Sequence, residues 1–182
     1  YMTEFEKSYL RVCEKIKRTV IPYKTNLKKI RIGDECDGGY VVAELPGYEA
    51  LYSYGSNDQT GFERQFNQLY GTDCYVYDHT IDGITDKPDF MHFFIEGHEW
   101  HLFKDFKYIN NFSQLVIEFH LFFNIVQGEE IIEQVFEKLN ENFVCIHIHG
   151  TNAPLQPWLD GNFPRVFECS FVRKDLIETM EI

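Results

Sequence analysis

From residue 50 onward the chain alternates short apolar runs with amphipathic ones, and that alternation limits the fold more than any other feature. ALYSYG, CYVYD, QLVIEFH, FVCIHIHG and PRVFECSFVRK read as strands, with CYVYD a buried one ending in Asp78. GFERQFNQLYG, HEWHLFKDF and GEEIIEQVFEKLNENF read as the helices between them. In the first helix Phe62, Phe66 and Leu69 share a face and Gly71 is the stop. In the last, Ile131, Ile132, Val135, Phe136 and Leu139 point inward, and Glu129 and Glu130 sit at the N-terminal end that favours negative charge. Strands alternating with helices predict a mostly parallel sheet with helices on both faces.

The segment before residue 50 is different in kind. Residues 3–20 read as a helix: Thr3 with Glu6 fits a capping box, Phe5, Tyr9, Val12, Ile16 and Val20 follow helical spacing, and Pro22 ends it. Residues 1–27 are therefore an N-terminal helical extension of one domain spanning 1–182. KKIRIG and GYVVA follow as two short strands joined by the turn DECDGG.

Composition narrows the function classes. A chain of 182 residues that is 44% hydrophobic and 16% aromatic fills a core, so disorder is excluded. A formal charge of −12 argues against a general nucleic-acid binder or an anionic membrane surface, although a local basic pocket for a small anion is compatible with it. The five cysteines show no CxxC spacing, which disfavours a disulfide framework or a thiolate zinc site and favours a reducing cytoplasm. No run of 18 apolar residues and no signal-peptide character occur, so no membrane span and no export are expected.

Parallel sheets bind ligands at the carboxyl ends of their strands. The polar residues gather there: Gly55, Ser56, Asn57 and Asp58 after the first strand, then Asp78, Glu96, Glu118 with His120, and His147 with His149. Asp78 is placed to accept bonds from ribose hydroxyls, or else to cap a turn. The turn YSYGSNDQTGFE is neither GxGxxG nor a P-loop, so it suits a cofactor with a sulfonium and a carboxylate better than a pyrophosphate. Glu118 with His120, and His147 with His149, use strand spacing of two, so each pair shares a face. His120 beside a carboxylate is a candidate general base. Three histidines with Glu equally suit a divalent metal, which keeps a metal-dependent hydrolase as an alternative; a non-catalytic binding module is another. At least one of these histidines is expected to be structural.

One interval is too short. Only 17 residues separate Asp78 from Glu96. A parallel crossover takes a dozen or more, yet the order of elements calls for two. Either FMHFFIEG is one strand and the sheet is one strand short, or a segment of chain is absent near 94/95.

These residues together resemble the FkbM-like and related S-adenosylmethionine-dependent methyltransferases. The likeness is carried by RIGDECDGGYVV at 31–42, LYSYGSND with GFE at 51–63, VYDHT at 76–80, IEGHEW at 95–100, LVIEFH at 115–120, HIHGTN at 147–152 and PRVFECSFVRKDL at 164–176. It implies a Rossmann-like class I methyltransferase fold of seven strands, mostly parallel with an antiparallel last strand. The family pattern before IEG carries a Lys and an Asp; His92, Phe93 and Phe94 stand there instead, so FMHFF looks like the preceding strand. The resemblance places S-adenosylmethionine against Tyr54, Gly55, Ser56 and Asn57 with Asp78 on its ribose, and Tyr40 and Glu63 near its methionine end or cover. Glu96, Glu118, His120 and His147 would face the methyl group and the acceptor. The implied reaction is O-methylation of a small-molecule or glycan acceptor, such as a sugar or a surface-glycan intermediate, including a phosphorylated or phosphoramidate group. No nucleic-acid partner is implied.

Overall fold

The computed structural model describes residues 2–35, 38–55, 60–77, 90–93, 99–121, 128–151 and 163–182. In chain order they form α1 (Glu4–Thr19), β1 (Lys24–Thr25), β2 (Lys29–Gly33), β3 (Gly39–Ala43), β4 (Ala50–Tyr54), α2 (Gly61–Tyr70), β5 (Asp73–Tyr77) and β6 (Phe90–Phe93). Then come α3 (Glu99–Asp105), β7 (Gln114–His120), α4 (Glu129–Asn142), β8 (Phe143–Gly150), β9 (Val166–Arg173) and β10 (Met180–Glu181).

Local chemistry sets the helix ends. Thr3 accepts from the Glu6 amide and the Glu6 carboxylate accepts from the Thr3 amide, closing the capping box of α1. Helix α2 stops at Gly71, whose φ of 64° is left-handed, and the Gly71 amide bonds to Asn67. On α1 the buried stripe is Tyr9, Val12, Cys13 and Ile16. On α2 the buried residues include Phe62 and Phe66, with Tyr70 packed beside Phe66, while Leu69 is 55% exposed. Spacing of four, not the three or four expected, therefore chooses the inner face of α2. Among the described residues no helix is long and apolar enough to cross a membrane.

Six strands share one sheet in the order β5-β4-β6-β7-β9-β8. The pairings of β4 with β5, β4 with β6 and β6 with β7 are parallel. Those of β7 with β9 and β8 with β9 are antiparallel. Two separate two-stranded ribbons, β2 with β3 and β1 with β10, are antiparallel as well.

The expected fold class is thereby corrected. A mostly parallel, Rossmann-like class I methyltransferase sheet was the expectation; of the seven pairings among the described residues four are antiparallel, and parallel pairing is confined to β5-β4-β6-β7, so no Rossmann-like sheet extends across the whole. One cause is β9, which returns between β7 and β8 and makes two antiparallel ladders where strand and helix alternation implied parallel ones. The other is the β2–β3 hairpin. Its apolar residues Ile32, Tyr40 and Val42 need cover, and they find it against Leu51, Val116 and α2. That face of the sheet is covered by a hairpin and one helix, whereas α1, α3 and α4 pack on the other face around Phe119, Phe167 and Phe171.

Two smaller expectations also change. Strand β6 pairs with β4 on one side and β7 on the other, so FMHF is an inner strand, and among the described residues the sheet has six strands where seven were expected. The segment expected near 94/95 lies outside the described residues. Strand β5 is a sheet edge rather than a buried strand, with Tyr75 and Val76 each more than 40% exposed.

Candidate functional site

Strands β5, β4, β6 and β7 run in one direction and so end on one edge. Beta-5 and β6, which follow β4 in the chain, flank it on opposite sides. The switch in strand order falls at the carboxyl end of β4, the place where parallel α/β sheets bind ligands. Gly55 closes β4 with φ 75°, a left-handed conformation suited to glycine, and its amide bonds to Tyr77 O at 2.8 Å. The Tyr54 ring stacks on Tyr77 with centroids 5.0 Å apart. Ser56, Asn57, Asp78 and Glu96 lie outside the described residues.

Two further residues expected at the cofactor lie in the packing instead. Tyr40 is buried in the hairpin, edge-on to Phe62 at 5.3 Å. Glu63 is buried in the first turn of α2 and accepts from Ser53 Oγ at 2.5 Å, tying that helix to β4.

The chemistry concentrates at the end of β7. Glu118 and His120 share the sheet face of Val116. His120 Nε2 lies 3.1 Å from Glu118 Oε1, and Nδ1 lies 3.3 Å from Glu99 Oε1. Glu99 opens α3 and is fully buried, and its Oε1 also accepts from the His120 amide at 2.5 Å. The neighbouring Trp100 donates from Nε1 to His120 O at 2.8 Å, so the start of α3 grips the end of β7 through two residues. Burial pulls the imidazole down, but the Glu118 and Glu99 carboxylates outweigh it and raise His120 to about 9. The ring is a cation at neutral pH, with a carboxylate on each nitrogen. A general base needs a neutral ring; His120 in this state is a hydrogen-bond donor.

A second group forms across β8 and β9. Phe143 and Cys145 face the helical core, as does Ile148, while Ile146 belongs to the opposite side. The change of parity is a β-bulge between Cys145 and His147. A regular strand would have sent His147 and His149 into the apolar helical core with Cys145; the extra residue turns them to the hairpin face. There His149 Nε2 meets Glu168 Oε2 at 3.2 Å, and His149 Nδ1 meets His147 Nε2 at 2.9 Å. His149 therefore stands between His147 and Glu168, with one ring nitrogen toward each. Burial lowers both rings, His147 to about 4 with help from His149 and Lys29, and His149 with help from Arg31. Both are neutral at pH 7.

Glu118 and Glu168 stand directly opposite each other in the β7–β9 register, so the two groups form one polar row across three strands. The expected site residues are nonetheless not all together. Beta-7 is two strand spacings from β4, about 10 Å, and β8 is four, about 19 Å. Glu118 and His120 are within reach of a small ligand seated at Gly55, and His147 is not.

Glu99 and Glu168 were not singled out by sequence reasoning. Glu168 had a signal: in VFECS polar residues alternate with apolar ones, which puts Glu168 and Ser170 on one face. Glu99 had none, being one charge in a short helix. Among the described residues no group of three or more His, Cys, Asp or Glu is arranged to hold a metal ion. The groove between α1 and α4 is lined by Arg11, Lys15 and Glu133, and its cations pair with Glu129 and Glu133. No family model, no curated protein and no solved structure matches this chain.

Proposed function

We propose that the chain is an S-adenosylmethionine-dependent O-methyltransferase acting on a small polar acceptor, a sugar or an intermediate of glycan assembly. The observation that carries the reading is the switch in strand order at the end of β4, where Gly55 turns the backbone with φ 75°. The buried Glu118–His120–Glu99 group supports it, because it lies two strands away and puts a carboxylate within reach of an acceptor hydroxyl. The cofactor would supply an electrophilic methyl group on a sulfonium. Glu118 would orient the acceptor hydroxyl for in-line attack and take its proton as the new oxygen–methyl bond forms, and the His120 cation fixes Glu118 in place. The free thiols of Cys13, Cys74, Cys145 and Cys169 support a cytoplasmic setting.

The test is calorimetry with adenosylmethionine, adenosylhomocysteine and NAD side by side. Saturable binding of the first two and none of NAD is the expected result. Binding of NAD, or of none of the three, overturns the reading.

A further inference from the structure

In a chain of formal charge −12, two cations lie beside the two neutral histidines, and among the described residues neither has a carboxylate partner. Lys29 and Arg31 lie two apart on β2, so they share a face about 7 Å apart. Lys29 Nζ donates to Ile146 O at 3.0 Å, one residue from His147. Arg31 Nη2 donates to Glu35 O at 3.2 Å, and its guanidinium lies over Gly39, in space that a Cβ there would fill. Among the described residues neither cation forms an ion pair. Lys7, Arg11, Lys15, Lys17, Lys28 and Arg173 do, whereas Lys138 and Lys174 also end on backbone carbonyls. What sets Lys29 and Arg31 apart is that their carbonyls aim them beside His147 and His149.

We infer that Lys29, Arg31, His147 and His149 form a subsite for a tetrahedral oxyanion, a phosphoryl group, between β2 and the end of β8. The site offers two oriented cations and the Nδ1 of His147, which donates once it takes a proton, while His149 backs His147 through its Nδ1. Glu168 is the carboxylate that faces it, and the His149 ring stands between that group and His147. The histidines are kept neutral by burial and by these same two cations, so a bound anion reverses the balance and draws protons onto them. The position is about 19 Å of strand spacing from Gly55. On the methyl-transfer reading it would hold the far, phosphorylated end of an acceptor, but the subsite itself does not depend on that reading.

The experiment is an NMR titration of the full chain, without cofactor, following the ring protons of His147 and His149. The probes are inorganic phosphate, glucose 6-phosphate and glucose. Phosphate should bind saturably and raise the pH at which both rings titrate, and Lys29→Gln with Arg31→Gln should weaken it at least tenfold. Both positions are exposed strand residues, and retained shifts elsewhere in the spectrum check the fold. Tighter binding of glucose 6-phosphate than of phosphate identifies the phosphoryl group of a larger acceptor; equal binding identifies a free-anion site. Absence of saturation, ring shifts unmoved, or affinity unchanged in the double variant overturns the proposal. None of these outcomes depends on adenosylmethionine, whose calorimetry separately decides the methyltransferase reading.

Discussion

Removing His120 should abolish a specific segment of the protein's pH dependence. In the folded chain His120 titrates near 9, against 6.5 for a free imidazole. A group whose folded value is raised stabilises fully below its unfolded value and ceases to do so above its folded one. The window therefore runs from pH 6.5 to about 9, and the gap is worth roughly 3 kcal/mol. His120 is 5% exposed and both its carboxylates are buried, so solvent screening takes little from that figure. The assay is urea unfolding at about pH 6 and about pH 9.5, where the parent should lose about that amount on going up. His120→Gln should show almost no loss over the same interval, from a lower starting stability, because it leaves two buried carboxylates facing each other without a cation. Glu99→Gln keeps the ring and one partner, so its loss should begin at a lower pH. A parent whose stability is flat across the window, or a His120→Gln variant with the parent's slope, refutes the reasoning.

Gly39→Ala should destabilise the hairpin by about 1–3 kcal/mol, since the new methyl meets the Arg31 guanidinium and the Asp34 carbonyl, and thermal unfolding checks it. Deletion of Ile146 removes the bulge residue yet leaves His147 and His149 on the hairpin face, so the chain should fold with a loss of about 2–4 kcal/mol for the missing side chain. Deletion of Ile148 instead sends His149 into the helical core and should prevent folding; circular dichroism of the two variants decides.

Where local chemistry decides, the sequence is readable. Thr3 and Glu6 mark the start of α1, Gly71 marks the end of α2, and the apolar stripe of α4 is buried as its spacing implies. Which strands become neighbours is a different matter. QLVIEFH and VFECSFVR are recognisable as strands because both are buried throughout, but full burial is common to parallel and antiparallel inner strands. Nothing in either run says that they pair in opposite directions. The short interval before Glu96 says that only one crossover fits there, not which strands FMHF joins, and its place between β4 and β7 is set by pairing. At the site, the strand spacing of His147 and His149 correctly puts them on one face, but which face depends on a bulge that no residue type announces. The state of His120 was out of reach for the same reason: one of its two carboxylates comes from α3, 21 residues away in the chain.

The place of β9 has a consequence for synthesis. Strand β8 joins the main sheet only through β9, and β9 is the last long strand to be made. Until about residue 173 has left the ribosome, β7 has no partner on that side among the described strands and β8 has no strand to pair with. A nascent chain therefore presents the whole edge of QLVIEFH, a seven-residue run that is buried in the finished protein. Such an edge recruits other strands. Chains ending before residue 166 should accumulate in the insoluble fraction even though they contain five of the six strands of the sheet.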